Sequence, residues 1–189
     1  LMRDKGVEEF VRAAALVRER LPQAKFRLLG KVERDNPTGI SPDAVRGWAE
    51  SGLVEHLPEC HDVRPHLAAA QVFVLPSYYR EGLPRTLLEA LATGRPVITT
   101  DMPGCREPVE PGENGWLVPP RDAEALAEAM CRAVRSRAEL ERMGRRARGV
   151  AEERFDVAKV NRTMLQAMRL GAPRTPEQRL RAPALLGGT

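Results

Sequence analysis

The run "VFVLPSYYREGLPRTLLEALATGRPVITT", residues 72–100, constrains this chain more than any other. A continuous apolar stretch stops at Pro76, a loop carrying Gly82 and Pro84 follows, and Leu87, Leu88 and Leu91 then recur at helical spacing up to Gly94. A second apolar stretch starts at Pro96. Strand, loop, helix and strand in that order form the unit that joins two parallel strands, since parallel pairing needs a crossover. The first strand, residues 71–77, has no polar alternation and reads as one buried on both faces.

The same alternation continues on either side. Val7, Phe10, Val11, Ala14, Val17 and Leu21 recur at helical spacing until Pro22 ends the pattern. Residues 25–30, 54–57, 96–100 and 115–118 read as further strands, and residues 41–52, 63–69 and 84–93 as helices between them. Three apolar faces follow: Leu126, Ala127, Met130 and Val134; Leu140, Met143, Ala147 and Val150; Val157, Val160, Met164 and Met168. The expected fold is α/β, a Rossmann-like parallel sheet with helices on both faces, over residues 1–170. Residues 171–189, dense in proline and glycine, read as a tail. Ligands of such a sheet bind at the carboxyl ends of its strands.

Composition closes off other classes. With 189 residues, one core is expected. No apolar run approaches the roughly 20 residues of a membrane span, and no basic-then-apolar leader opens the chain, so a cytoplasmic protein is expected. The first residue is not methionine and a helix begins almost at once, so the chain reads as an excised piece. Cys60, Cys105 and Cys131 form no CxxC pair and read as free thiols. His56, His61 and His66 lack acidic or cysteine partners, so no metal site is expected. The net charge of +4 permits nucleic acid or an anionic surface as partner, but the arginines interleave with glutamates on helices. A solvated surface, without nucleic acid, is the expectation.

The loop from Ser77 to Arg85 falls at the carboxyl edge of the sheet. Pro84 suits the first helical turn, after which the N–H groups near Arg85 and Thr86 point at the loop with the positive end of the helix dipole. That is a site for phosphate. Gly82 lets a ligand approach the backbone, and Arg85 can add a bidentate clamp. Glu89, one turn further in, can accept two hydrogen bonds from a vicinal diol such as ribose. Glu81 faces the other end of a phosphate-linked ligand. Either glutamate alone reads as a surface charge; their joint placement about one helix start points to such a ligand.

Glu81 and Glu89 resemble the E-x7-E signature of the large group 1 family of retaining glycosyltransferases with the GT-B fold. The likeness extends to "RDKGVEEFVRAA" (3–14), "VEHLPECHDVRPHLAAAQVFVLPS" (54–77) and "PVITTDMPGCREPVEPGENGWLVPPRDAEALAEAM" (96–130). Within that family, "NPTGI", "REGLPR" and "PGCRE" are most similar to enzymes that add an N-acetylhexosamine or a related sugar to an undecaprenyl-diphosphate-linked glycan. The resemblance implies the C-terminal, donor-binding half of such an enzyme, with Glu81 and Lys5 as catalytic residues and a UDP-sugar as substrate, without metal or other cofactor. It implies that Glu89 grips ribose and that Gly82 and the N–H groups around Leu83, Arg85 and Thr86 hold the diphosphate, with Lys5 completing a cationic clamp. Cys60, His61 and Val63 would lie along the base, Gly30 and Ser77 would border the donor, and "PGCREPVE" would set a helix N-terminus opposite the donor sugar. Lys5 taken by itself reads as a solvated lysine.

The implied partners are an N-terminal acceptor domain absent from this chain and a lipid-diphosphate-linked acceptor at the cytoplasmic face of the inner membrane of a bacterium assembling surface polysaccharide or lipopolysaccharide. Leu83 and Pro84 stand where members often have phenylalanine and glycine, and Pro58 where glycine is usual. Two other functions compete: a GT-B sugar-nucleotide epimerase, which needs histidines and acids placed for proton transfer, and a non-catalytic nucleotide- or polyanion-binding module.

Overall fold

The computed structural model describes residues 1–32 and 36–168, so the expected tail at 171–189 lies outside the described residues. The chain divides into two units, Leu1–Glu153 and Arg154–Thr189. In the first, a short 3-10 turn over Arg3–Lys5 leads into α1 (Val7–Arg20), then β1 (Arg27–Leu29), α2 (Pro42–Glu50), β2 (Glu55–Leu57), α3 (Arg64–Ala69) and β3 (Phe73–Leu75). There follow α4 (Arg85–Ala92), β4 (Val97–Thr100), β5 (Gly115–Val118), α5 (Ala123–Ala133) and α6 (Arg137–Arg154). The second unit holds α7 (Val157–Ala167) among its described residues.

All strand pairs are parallel, as the crossover pattern required, but they form two sheets rather than one: β1 with β2, and β3–β4–β5. Residues 71–77 were expected to be buried on both faces, yet Phe73, Val74 and Leu75 are only half-buried. β4 has a partner on each side, and all four of its residues are buried. At Gly115, paired with Val97, a side chain would collide with the Val97 carbonyl. Glycine there lets β4 and β5 come together.

Helix α1 has Glu8 and Glu9 in its first turn and Arg18 and Arg20 in its last, each charge matching the dipole. Its inner face, Val7, Phe10, Val11, Ala13, Ala14 and Val17, is buried against α5, where Leu126, Ala127 and Met130 are buried in turn. Ala13, Ala14 and Ala127 keep that approach close. Ser41 caps α2 by accepting from the Ala44 N–H (3.2 Å), and Asp122 caps α5 by accepting from Ala125 (2.8 Å). Each such cap contributes about 1 kcal/mol. On α6 the expected face is buried, with Met143, Ala147 and Val150 fully so. The periodicity of residues 157–168 does mark a helix, capped by Asp156 through the Lys159 N–H (3.0 Å). Its apolar residues Val157, Val160, Met164 and Met168 are nevertheless exposed, because among the described residues its unit offers one helix and no opposing layer.

The segment before α1 ties the two sheets together at their carboxyl ends. Arg3 donates to the Thr38 carbonyl (2.7 Å) and Leu1 accepts from the Ile40 N–H (3.1 Å), both in the segment after β1. Gly6, with φ 75°, then presses on the carbonyl of Pro76 just beyond β3. Any side chain at Gly6 meets that backbone, whereas Gly52 has a similar φ of 68° with open space around it. Gly6→Ala is therefore expected to cost about 2–4 kcal/mol in urea denaturation, and Gly52→Ala about 1 kcal/mol. Equal losses would show that backbone conformation alone, and not contact with Pro76, requires the glycine.

Candidate functional site

At the carboxyl ends of β3 and β4 the structure gathers four of the expected residues. Lys5 leaves the 3-10 turn and forms an ion pair between its Nζ and Glu81 Oε1; both side chains are about three-quarters buried. The single proton of the fully buried Ser77 hydroxyl has the Asp4 carbonyl (3.2 Å) and Glu81 Oε1 (3.4 Å) as acceptors, and its oxygen accepts from the Tyr79 N–H (3.4 Å). The N–H groups of Tyr78 and Tyr79 both donate to the Asp4 carbonyl, at 3.0 and 3.2 Å. Lys5 Nζ also lies 5.6 Å from the centroid of the Tyr79 ring. A pair this far buried and with this many neighbours is held in place far better than a surface ion pair.

Gly82, Leu83 and Pro84 then lead into α4. Pro84 is the N-cap, one position earlier than a first-turn proline, and supplies no side-chain acceptor. The N–H groups of Arg85 and Thr86 consequently have no intrahelical partner. Leu87, Ala90 and Leu91 face the core, each fully buried, and leave Arg85 and Glu89 on the outer side. Arg85 Nε donates to Glu89 Oε1 (3.0 Å); the arginine is almost fully exposed and the glutamate half-buried. Two cations, two carboxylates and several unpaired N–H groups thus lie on the loop and helix start that follow β3 and on the turn packed against them.

Gly30, Cys60, His61 and Val63 lie at the carboxyl edge of the other sheet, and their recorded bonds are local. Gly30 donates to the Leu57 carbonyl (3.0 Å), and its own carbonyl meets His56 Nε2 (3.0 Å). That contact gives His56 a structural place. Cys60 Sγ lies 3.3 Å from the Asp62 carbonyl. The Arg64 side chain and N–H hold the exposed Asp62 carboxyl down to about 2. No hydrogen bond or ion pair among the described residues joins this loop to the Lys5–Glu81 pair.

The segment 103–110 differs from expectation. It forms turns rather than a helix, with Cys105 and Arg106 N–H both donating to Met102 O (3.0 Å each), because Pro103, Gly104 and Pro108 break any longer repeat. Gly104, φ 88°, rests directly on the carbonyls of Glu81 and Gly82. Cys105 is fully buried, and burial raises its thiol above the usual range. The contribution of Gly104 was not anticipated, although the Pro–Gly dipeptide did signal a turn.

The surplus arginines are engaged elsewhere. On α6, Arg137 pairs with Glu141 (3.0 Å), Arg142 with Glu113 (2.7 Å), Arg146 with Glu110 (2.6 Å) and Arg148 with Glu152 (2.6 Å). Arg95 Nη1 caps α3 at the Ala70 carbonyl (3.0 Å) and Arg148 caps α4 at Ala92. These arginines make a laced helical surface rather than an open basic face.

Known proteins resemble this chain in sequence and in fold. The model of a family described as Glycosyl transferases group 1 covers residues 1–136. The lipopolysaccharide core biosynthesis glycosyltransferase LpsE of Rhizobium meliloti is 38% identical over 127 residues, 67% of this chain and 35% of its own. The N,N'-diacetylbacillosaminyl-diphospho-undecaprenol alpha-1,3-N-acetylgalactosaminyltransferase of Campylobacter jejuni is 33% identical over 124 residues, 66% of this chain and 31% of its own. The chain spans less than half the length of the curated relatives it matches. Among solved structures, Anabaena Alr3699/HepE in complex with UDP superposes with a TM-score of 0.80 at 24% identity, over 89% of this chain and 46% of that one. The C-terminal domain of a group 1 glycosyl transferase (LpcC) from Francisella tularensis superposes with a TM-score of 0.72 at 19% identity, covering 83% of each chain. The fold is that of the C-terminal half of a GT-B glycosyltransferase, and the chain belongs to the group 1 glycosyl transferases.

Proposed function

We propose that this chain is the donor-binding half of a retaining glycosyltransferase that moves a sugar, an N-acetylhexosamine, from a UDP-sugar to a lipid-diphosphate-linked glycan in surface polysaccharide assembly. The observation that carries this is the Lys5–Glu81 pair set beside the open start of α4, with Glu89 one turn further in. The name of the Campylobacter relative supports the choice of sugar and acceptor, and the UDP in the Anabaena complex supports the nucleotide. The acceptor site and the opposite wall of the cleft are assigned to an N-terminal domain outside this chain, which accords with its covering under half of its relatives.

On this reading Glu89 exchanges Arg85 for the two ribose hydroxyls, and the freed guanidinium turns to the diphosphate. Gly82 and the N–H groups of Leu83, Arg85 and Thr86 receive the phosphate oxygens, with Lys5 as the second cation. Pro84 offers no donor, so the diphosphate rests on the groups either side of it. Cys60, His61 and Val63 flank the base, and Gly30 and Ser77 border the pocket. Glu81 holds the donor sugar from the far side of the phosphate.

In the reaction, the bond between the anomeric carbon and the β-phosphate oxygen breaks. The acceptor hydroxyl bonds to that carbon on the same face, and its proton passes to the leaving phosphate oxygen. Negative charge grows on the diphosphate, where the cations and N–H groups act; one such donor is typically worth about 2.7–4 kcal/mol.

Calorimetric titration with UDP, GDP and ADP should show selective binding of UDP. Glu89→Ala is expected to weaken UDP and UDP-sugar alike, by about tenfold or more. Glu81→Gln should weaken the UDP-sugar while leaving UDP within about twofold, since the nucleotide alone does not reach Glu81. Equal, steeply salt-dependent binding of all polyanions would instead indicate a non-specific module.

Because the acceptor wall is assigned elsewhere, the purified chain is expected to transfer little or no radiolabelled sugar to a lipid-diphosphate acceptor. Efficient transfer by this chain alone would overturn the division into halves.

A further inference from the structure

Arg121 is the one non-glycine residue with a left-handed φ, 60°, among the described residues. It stands between β5 and Asp122, the cap of α5. An L-residue is strained there, and such strain persists only where the surroundings over-determine it. A glycine would fill the same turn without strain. Something therefore holds the arginine.

That holding contact is Tyr78. The Arg121 guanidinium carbon lies 4.3 Å from the centroid of the tyrosine ring, a close cation–π stack. Burial, and then the negative charge of Glu9, raise the pKa of the Tyr78 phenol, with Asp4 and Glu8 acting the same way and Arg121 opposing them. Four charges thus converge on one ring. Two carboxylate oxygens of this group, Asp4 Oδ1 and Glu9 Oε2, are buried without a hydrogen-bond partner in the described structure. A stacked cation offsets the field they create.

Tyr78 also marks where β3 meets the 3-10 turn. Its N–H and that of Tyr79 converge on the Asp4 carbonyl, at 3.0 and 3.2 Å, and the Ser77 hydroxyl joins them at 3.2 Å. Asp4 is bonded directly to Lys5, and the Tyr79 ring lies under Lys5 Nζ. The tyrosine ring is pinned on one side by the β5–α5 junction, while its backbone pins the turn that carries Lys5.

We propose that Arg121 is a positioning residue: stacked on Tyr78 at the cost of a strained backbone, it fixes the Ser77–Tyr79 turn and thereby the placement of Lys5 against Glu81. Its importance for donor binding rests on the function proposed above. The alternative is that the stack merely stabilises the start of α5.

Four variants of the chain decide between these: Arg121→Gly, Tyr78→Phe, Tyr78→Leu and the double Arg121→Gly/Tyr78→Leu. Three properties are read: thermal midpoint, amide hydrogen exchange, and UDP-sugar affinity. Arg121→Gly should leave the midpoint within about 2 °C of the parent, the relieved φ strain offsetting the lost stack. It should nevertheless speed exchange at the Tyr78 and Tyr79 amides about tenfold, leave β4 amides unchanged, and weaken UDP-sugar about fivefold. Tyr78→Phe keeps the ring and should match the parent in exchange and affinity. Tyr78→Leu should reproduce the exchange and affinity losses of Arg121→Gly, and the double variant should add nothing further to them.

Parental exchange at Tyr78 and Tyr79 in Arg121→Gly would overturn the proposal. So would losses that simply add in the double variant. The exchange arm needs no ligand: if the parent chain binds no UDP-sugar, the donor-site reading fails, while the Tyr78 and Tyr79 amides still show whether Arg121 holds the turn.

Discussion

Close backbone approach at the carboxyl edge of the strands is the constraint from which the site follows. Gly6 rests on the Pro76 carbonyl, and Gly104 rests on the carbonyls of Glu81 and Gly82. These two contacts bring three chain segments, otherwise far apart in sequence, within reach of one another: the turn before α1, the loop after β3 and the loop after β4. A β-carbon at either glycine would push its loop outward by the width of a methyl group. Hydrogen bonds at 3.0–3.4 Å between Ser77, Tyr78, Tyr79, Asp4 and Glu81 could not survive that displacement. The polar network is thus a consequence of the glycines.

Helix α4 shows how one short element serves both core and site. Leu87, Ala90 and Leu91 are completely buried, and each leucine contributes roughly 2–3 kcal/mol by leaving water. The 3.6-residue period then fixes what remains: positions 85 and 89 fall together on the outer face, one turn apart, at the start of the helix. Packing that sets the rotation of α4 in the core therefore also aims Glu89. Because Pro84 provides the cap position without a side-chain acceptor, the N–H groups ahead of Glu89 stay available.

Much of this was legible in the sequence, for identifiable reasons. Helical and strand periods come from local spacing, so α1, α4, α5, α6 and the five strands stand where the pattern put them, trimmed by a residue or two at their ends. Lys5, Ser77 and Glu81, singled out from segments far apart in the sequence, do come into contact with one another. What could not be read depends on neighbours remote in sequence. The half-burial of β3 depends on what covers it in space, which no property of "FVL" encodes. The turns at 103–110 replace a helix because prolines and a glycine interrupt it, a local signal that was present but outweighed by the expectation of a helix there. The exposure of α7 depends on the absence of a facing layer among the described residues, and helical periodicity cannot report that.

Charge is distributed by the same logic. Arg137, Arg142, Arg146 and Arg148 of α6 sit opposite glutamates at 2.6–3.0 Å, which neutralises them where they stand and limits their reach in salt. Lys5 differs because it and its partner, Glu81, are both largely withdrawn from water. Arg85 differs because its partner, Glu89, is its neighbour one turn along and its own side chain is almost wholly exposed. Turning such a side chain from carboxylate to phosphate exchanges one charge-assisted pair for another and moves no backbone. The pairing of Lys5 requires the fold, whereas the pairing of Arg85 requires only the helix. The two cations thus differ in kind, one fixed by tertiary contacts and one held only by its own helix, which is the pairing that the proposed grip and release of a diphosphate would use.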